Sequence, residues 1–307
     1  MSKKIIITGA TGLVGRKLCK ALSQRGDELT VFSRNVNTAS SLLHEAKEFV
    51  EWNYNESYEW EKHLDYKDAV IHLAGANIAD KRWTSRYKKK IYDSRILSTQ
   101  SLIRAISKAQ SRPSVFISSS ASGFYGDAGE ELLTEESISG NDFLSGVCKA
   151  WEAEAEKVEH FKIRRVSVRT GIALCSSGGA LKKMLLPYKL FLGGPLGNGK
   201  QWFPWIHIDD LVNIYLFSLD NASITAAINA ASPNPVTMNE YARSLGSVLH
   251  RPSLFRVPKL ALSLILGEAA DAVTASQKII PQKLLANGFK FKFDNLESAL
   301  YDFLRQH

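Results

Sequence analysis

Short β-branched runs alternate with longer stretches of helical periodicity along the first half of the chain. "KIIIT" precedes a helical pattern from Leu13, "ELTVFSR" one near Ser40, "DAVIHLAG" a long one from Trp83 to Ala109, and "SVFISSS" one opening at Asp142; "IRRVSVRTG" continues the series. Strands of this kind, each followed by a helix, are buried on both faces, which predicts an α/β fold with a doubly wound parallel sheet. After about Ser176 the pattern loosens: "GGPLGNGKQWFPW" is rich in glycine and aromatics, and "ASPNPVT" and "HRPSLFRVP" are punctuated by proline. The expected organisation is a first domain over 1–175, joined again by 205–232, and a smaller α+β domain from 176–204 and 233–307. A ligand cleft is expected between them.

The turn after the first strand carries the clearest chemistry. "TGATGLVG" sets Gly9, Gly12 and Gly15 between a strand and a helix, with Thr11, Leu13 and Val14 among them. Glycines there let the backbone turn tightly and approach a pyrophosphate, which rests on the positive end of the helix. The sequence therefore predicts a Rossmann-type dinucleotide site. At the end of the second strand, "FSRN" offers Ser33 and Arg34 where an NAD site usually has a carboxylate. Arg34 points to NADP(H) over NAD(H), since a charge-assisted arginine–phosphate bond contributes about 1.5 to 3 kcal/mol. Arg16 is a second cation near the turn.

Composition narrows the class. With 307 residues, 45% hydrophobic and 23% charged, the chain can bury a large core, and no apolar run approaches the roughly 20 residues of a membrane span. The start "MSKKIIITGATG" has no secretion-signal pattern, so a cytoplasmic location is expected. The three cysteines, Cys19, Cys148 and Cys175, suggest neither disulfides nor zinc. A net charge of +8 suits an anionic partner. The densest basic segment, "DKRWTSRYKKKIYDSR", reads as a solvated helix face, without a recognisable nucleic-acid module. "HIDDL" reads as a helix entry where Asp209 and Asp210 cap free amides, not as a metal site with His207.

Together "TGATGLVG", "HLAG", "SSSASGFYG" and "WIHIDD" resemble the extended short-chain dehydrogenase/reductases. "GANIADKRW", "DSR", "VCKAWE", "RTGIAL", "GGPLGNGKQWFPWIHIDDL" and "GFKF" narrow the resemblance to an epimerase-like branch, over nearly the whole chain. Its members are labelled NAD(P)-dependent sugar-nucleotide epimerase-like proteins, some of them cell-division inhibitors, and carry a short C-terminal domain of unassigned function. The resemblance implies that Leu73, Ala74 and Gly75 line the adenine–ribose side of the cofactor. It also implies that Ser118 to Ser120 end a strand under the nicotinamide, that Ser120 hydrogen-bonds substrate oxygen, and that Arg169, Thr170 and Gly171 sit near the nicotinamide.

Two departures from that family pattern matter. Catalytic relatives pair a tyrosine with a lysine four residues on, whose cation lowers the phenol's pKa. Here the aligned pairs are Phe143 with Val147 or Leu144 with Cys148, while Ser145 with Lys149 has the spacing only, and Tyr58 with Lys62 falls too early. Tyr125 is the best remaining acid candidate in the cleft, the alternative being a packing aromatic with its hydroxyl at the rim. The second departure is "FPWIH", where Phe203 and Pro204 replace an arginine and an aspartate that hold a nucleotide sugar. With Trp202 and Trp205 this predicts an aromatic wall and a small, less charged substrate instead of a nucleotide sugar.

The reading is thus an NADP(H)-binding protein, monomer or homodimer, exchanging hydride with a small carbonyl or alcohol through Ser120 and Tyr125. The alternatives are an NADPH-sensing regulator with little activity and, more distantly, a nucleic-acid binder.

Overall fold

The computed structural model describes residues 2–55 and 59–305. Tyr58 lies outside them. Helix α1 (Leu13–Gln24) links β1 (Lys4–Thr8) to β2 (Glu28–Ser33); α2 (Val36–Leu42), β3 (Glu48–Glu51) and β4 (Ala69–His72) follow. Helix α3 (Ser85–Lys108), β5 (Val115–Ala121), β6 (Leu132–Leu133), α4 (Phe143–Glu156) and β7 (Arg164–Thr170) complete the first half. The long helix starts at Ser85, not Trp83, because Thr84 caps it, accepting from the Tyr87 amide at 3.2 Å.

Then come β8 (Ile172–Cys175), α5 (Gly179–Lys189), β9 (Trp202–Phe203), β10 (Trp205–His207), α6 (Ile208–Asp220) and β11 (Ala226–Ala230). The chain continues through β12 (Val236–Thr237), α7 (Met238–Leu249), α8 (Lys259–Leu266), α9 (Ala269–Thr274), β13 (Lys278–Ile279), α10 (Gln282–Ala286) and α11 (Leu296–Arg305).

Seven strands form one parallel sheet in the order β11-β7-β5-β4-β1-β2-β3. The chain runs outward from β1 through β3 and returns on the other side as β4, so the switch point lies between β1 and β4. A crevice for ligands opens there, beyond the carboxyl ends of the strands. Strand alternation divides the core: Ile5 and Ile7 pack with Leu18 and Leu22 of α1 and Leu211 of α6, whereas Ile6 and Phe116 pack with Leu102 and Ile106 of α3.

The C-terminal part does not keep a core of its own. Leu296, Ala299, Leu300 and Phe303, at helical spacing along α11, join the same apolar cluster as β1 and β11, together with Leu284, Phe289 and Phe293. "FPWIH" also differs from its expected role. Phe203 and Trp205 are 4% and 1% exposed; Phe203 packs against Tyr241 with ring centres 4.5 Å apart, so both rings are core and not a ligand wall. Trp202 alone is half-buried, its Nε1 donating to Glu130.

Candidate dinucleotide and reaction site

The β1–α1 turn is shaped by close backbone approach. Gly9 has φ +68°, and a Cβ there would lie 2.7 Å from the Leu73 carbonyl; one on Gly15 would lie 2.5 Å from the Gly9 oxygen. Gly12 is the N-cap of α1 and offers no side chain to its free amides, so the positive helix end stays open to an anion. Beside the turn lies a cavity of about 460 Å³, bounded by Gly9, Thr11 and Gly12 on one side, Arg34 and Asn35 on another, and Leu73, Ala74 and Gly75 after β4. Leu13, Val14 and Gly15 are not in its wall; Leu13 instead packs toward Gly178 and Gly179. All the cavity's lining lies within residues 9–94, so it belongs to the first half of the chain and not to a cleft between two domains.

Arg34 is exposed at the end of β2 and makes no ion pair among the described residues. Lys90 lines the same cavity, also without an ion pair among them, and approaches only the Tyr87 ring at 6.0 Å. The sequence reading overlooked Lys90, because it stands in the basic run taken as a solvated face. That run is in fact divided: Lys88 pairs with Glu268 and Lys89 with Asp93, whereas Lys90 turns to the cavity. Two free cations and no carboxylate at the β2 terminus suit a phosphorylated ribose.

The reaction end is organised by a carboxylate that sequence reasoning also missed. Ser120 Oγ donates to Glu152 Oε1 at 2.6 Å, and Arg169 grips both Glu152 oxygens, Nε to Oε1 and Nη2 to Oε2, at 2.9 Å each. Arg169 Nη1 reaches the Tyr125 hydroxyl at 3.0 Å, and the guanidinium lies 3.5 Å from the centre of the Phe124 ring. Burial works against the Arg169 charge, but the Glu152 contacts outweigh it and hold its pKa above the ordinary value. Glu152 stands in "VCKAWE", two turns into α4, and its partner is 17 residues away, so no local spacing marks it.

Several expected placements change. Tyr125 is not at a rim: it is 3% exposed, with acceptors at Asn229 Oδ1 (2.6 Å) and the Thr134 carbonyl (2.9 Å). Burial pushes its hydroxyl up to about 12 against the pull of Arg169. Ser118 faces Ser167 within the sheet at 3.4 Å, not a cofactor, because it lies two residues deeper in β5 than Ser120, on the same face. Ser119 points to the opposite face, toward the Tyr215 hydroxyl at 2.9 Å. Arg169 is occupied by its ion pair, and Thr170 Oγ1 bonds back to the Val168 carbonyl. Gly171 serves close packing, since a Cβ there would run into the Pro204 carbonyl oxygen.

On α4, Leu144 and Cys148 face the strand end. A Cβ on Gly123 would touch Leu144 at 3.1 Å, and Cys148 stands one turn before Glu152 on the same helix. Burial, reinforced by Glu152, pushes the Cys148 thiol up to about 12, so it stays neutral. Ser145 and Lys149 form no dyad: Ser145 Oγ bonds to the Gly123 carbonyl and Asp142, while Lys149 is exposed.

His207, not an aspartate, caps α6: its Nδ1 accepts from the Asp209 amide at 3.1 Å. Asp210 instead accepts the amides of Lys292 and Phe293, tying the C-terminal segment down. Asp209 pairs with Lys17 and Lys292. His207, Asp209 and Asp302 come close enough to share a metal. However, an Nδ1 that accepts leaves the proton on Nε2, so the nitrogen that lies 3.4 Å from Asp302 offers no lone pair to a metal.

The fold and turn define a dinucleotide-binding protein of the extended short-chain dehydrogenase/reductase type. A family model described as the NAD dependent epimerase/dehydratase family matches residues 5–146, and a domain of unknown function matches 257–303. The chain is 40% identical over 298 residues to an Arabidopsis thaliana protein named epimerase family protein SDR39U1 homolog, chloroplastic, covering 96% of this chain and 85% of that one. It is 37% identical to Bacillus subtilis epimerase family protein YfhF, with 96% of each covered. The crystal structure of human epimerase family protein SDR39U1 (isoform 2) with NADPH superposes with a TM-score of 0.89 at 31% identity, covering 99% of this chain and 100% of that one. The chain belongs to the NAD dependent epimerase/dehydratase family. Among the described residues no helix is long and apolar enough to cross a membrane.

Proposed function

We propose that this protein is an NADP(H)-dependent oxidoreductase acting on a small carbonyl or alcohol, with Ser120 touching the reacting oxygen and Glu152 moving the proton behind it. The open turn, the β4 wall and the free cations Arg34 and Lys90 fit NADP(H), and the human relative solved with NADPH supports the same cofactor. When bound, the nicotinamide would supply or accept the hydride. The observation that carries the reading is the 2.6 Å bond from Ser120 to Glu152.

Because the Ser120 proton points at Glu152, its lone pairs are free to accept from a substrate hydroxyl. In oxidation the substrate O–H proton passes to Ser120 Oγ while the serine's own proton passes to Glu152, and the C–H hydride leaves toward the cofactor. Reduction runs the same transfers backwards. Arg169 fixes the carboxylate in line, and Tyr125 holds Arg169; both are positioning residues. The Glu152 side chain is mostly buried, and the 11% left exposed is its route for proton exchange with solvent.

The test is NADPH consumption across a panel of aldehydes, ketones and 2-oxo acids, with Ser120→Ala and Glu152→Gln beside the wild type. Removal of an acid–base group should cost about a hundred- to ten-thousandfold in kcat. Turnover at the wild-type rate in both variants, or no turnover above background on the whole panel, refutes the assignment.

A further inference from the structure

Arg95 sits on α3 one turn after the buried Ile91, on the same side of the helix. Its Nη1 donates to the carbonyls of Ala76 (3.1 Å) and Ile91 (3.0 Å). No carboxylate of the described residues lies within ion-pair distance. The other arginines of the protein interior are paired or satisfied: Arg165 with Glu159 at 2.7 Å, Arg169 with Glu152, and Arg164 with three carbonyls. The Nε and Nη2 groups of Arg95 have no partner among the described residues, yet they are not sealed from solvent, so they stay open to a ligand.

Its surroundings are built around the guanidinium. It stacks 5.2 Å from the centre of the Trp151 ring on α4. Gly75, in the wall of the dinucleotide cavity, makes room for it, since a Cβ there would come within 3.2 Å of the guanidinium carbon. Trp151 in turn precedes Glu152, the partner of Ser120, along α4. A cation therefore stands between the cofactor wall and the helix that carries Glu152, with two free donors. Burial works against its charge, and that charge helps keep the enclosed His72 neutral. An unpaired cation in such a place carries a desolvation cost that a bound anion offsets.

We propose that Arg95 recognises an oxyanion of the substrate, a carboxylate or phosphate held beside the carbon that reacts at Ser120. The proposal rests on the oxidoreductase reading for its location and narrows the substrate to small anionic carbonyl or hydroxy compounds. A two-donor fork suits such a group better than a neutral oxygen.

Calorimetric titration of malonate and of inorganic phosphate into the wild-type protein saturated with NADP+ tests it without needing turnover. Even a chain inactive on every carbonyl tried would still report on Arg95. The expected result is millimolar binding that Arg95→Gln weakens roughly tenfold or more, while NADPH affinity in that variant stays within about threefold. Arg95→Lys, which keeps the charge and loses the fork, should bind with intermediate strength. It also serves where the glutamine variant does not fold. Absence of anion binding to the wild-type complex, or equal binding in the variants, overturns the proposal. A variant that instead loses NADPH affinity tenfold, with NADP+ abolishing anion binding in the wild type, assigns the guanidinium to the cofactor's own phosphates and overturns the substrate role.

Discussion

Replacing Arg34 with alanine should separate NADPH from NADH. The side chain is exposed, lines the dinucleotide cavity and carries no ion pair among the described residues, so its removal disturbs no internal contact. A charge-assisted bond to a phosphate is worth about 1.5 to 3 kcal/mol, and two features of the site pull the figure down. Solvent and salt screen an exposed charge. Lys90, on the same cavity, still supplies a cation in the variant. The loss is then about 1.5 to 2 kcal/mol, or roughly ten- to thirtyfold in the Kd for NADPH, with NADH changed by less than about twofold. Fluorescence titration of both nucleotides at low and high salt measures it, and Lys90→Ala with the double variant shows how the two cations share the phosphate. Equal weakening of NADH and NADPH would mean that Arg34 shapes the pocket without reading the phosphate, and an unchanged Kd for NADPH would refute the reasoning entirely.

Arg169→Ala leaves Glu152 enclosed without its counter-ion and should cost about 3 to 5 kcal/mol in urea unfolding, a loss Arg169→Lys should not fully restore because the bidentate fork is gone. Gly9→Ala meets both a left-handed backbone and the Leu73 carbonyl at 2.7 Å; strain of at least about 1 to 3 kcal/mol should appear as a lower Tm together with weaker NADPH binding. Burial first, and the Arg95 cation second, depress His72 from 6.5 to about 3, so the folded protein keeps the ring neutral while the unfolded chain protonates it. Its contribution is therefore complete above pH 6.5 and is lost as pH falls toward 3, and urea midpoints measured across that window should fall less steeply in His72→Gln.

The sheet and the glycine turn were legible because their signals are local: β-branched runs, helical spacing and glycines at a strand end each concern neighbours in sequence. The strand order was not, since the reversal between β1 and β4 is a matter of pairing across the sheet. Side-chain direction at the site was harder still. Glu152 acquires its meaning only from Arg169 on a different element, and "FPWIH" looked like a ligand wall because its aromatic content says nothing of whether Tyr241 or a substrate faces it. Arg95 was hidden in a run of basic residues, although its spacing of four from Ile91 places it on the buried stripe of α3. Attention to that spacing would have separated it from the exposed lysines.

The tyrosine–lysine pair of catalytic relatives uses a cation to make a phenol acidic. Here the facing positions hold Leu144 and Cys148, and the thiol is pushed up to about 12, so neither can move a proton near neutral pH. The charge has been relocated. Glu152 and Arg169 nearly cancel, which leaves Ser120 as an acceptor whose proton is already committed to a carboxylate, and Arg95 as a cation with no carboxylate partner among the described residues. A pocket so arranged favours a ligand that donates a hydroxyl to Ser120 and presents an anion to Arg95. A hydroxy acid does both at once, whereas its oxo counterpart needs the serine proton turned from Glu152 toward the carbonyl oxygen. On this reading Glu152, and not a phenol, takes and returns the proton that accompanies hydride transfer.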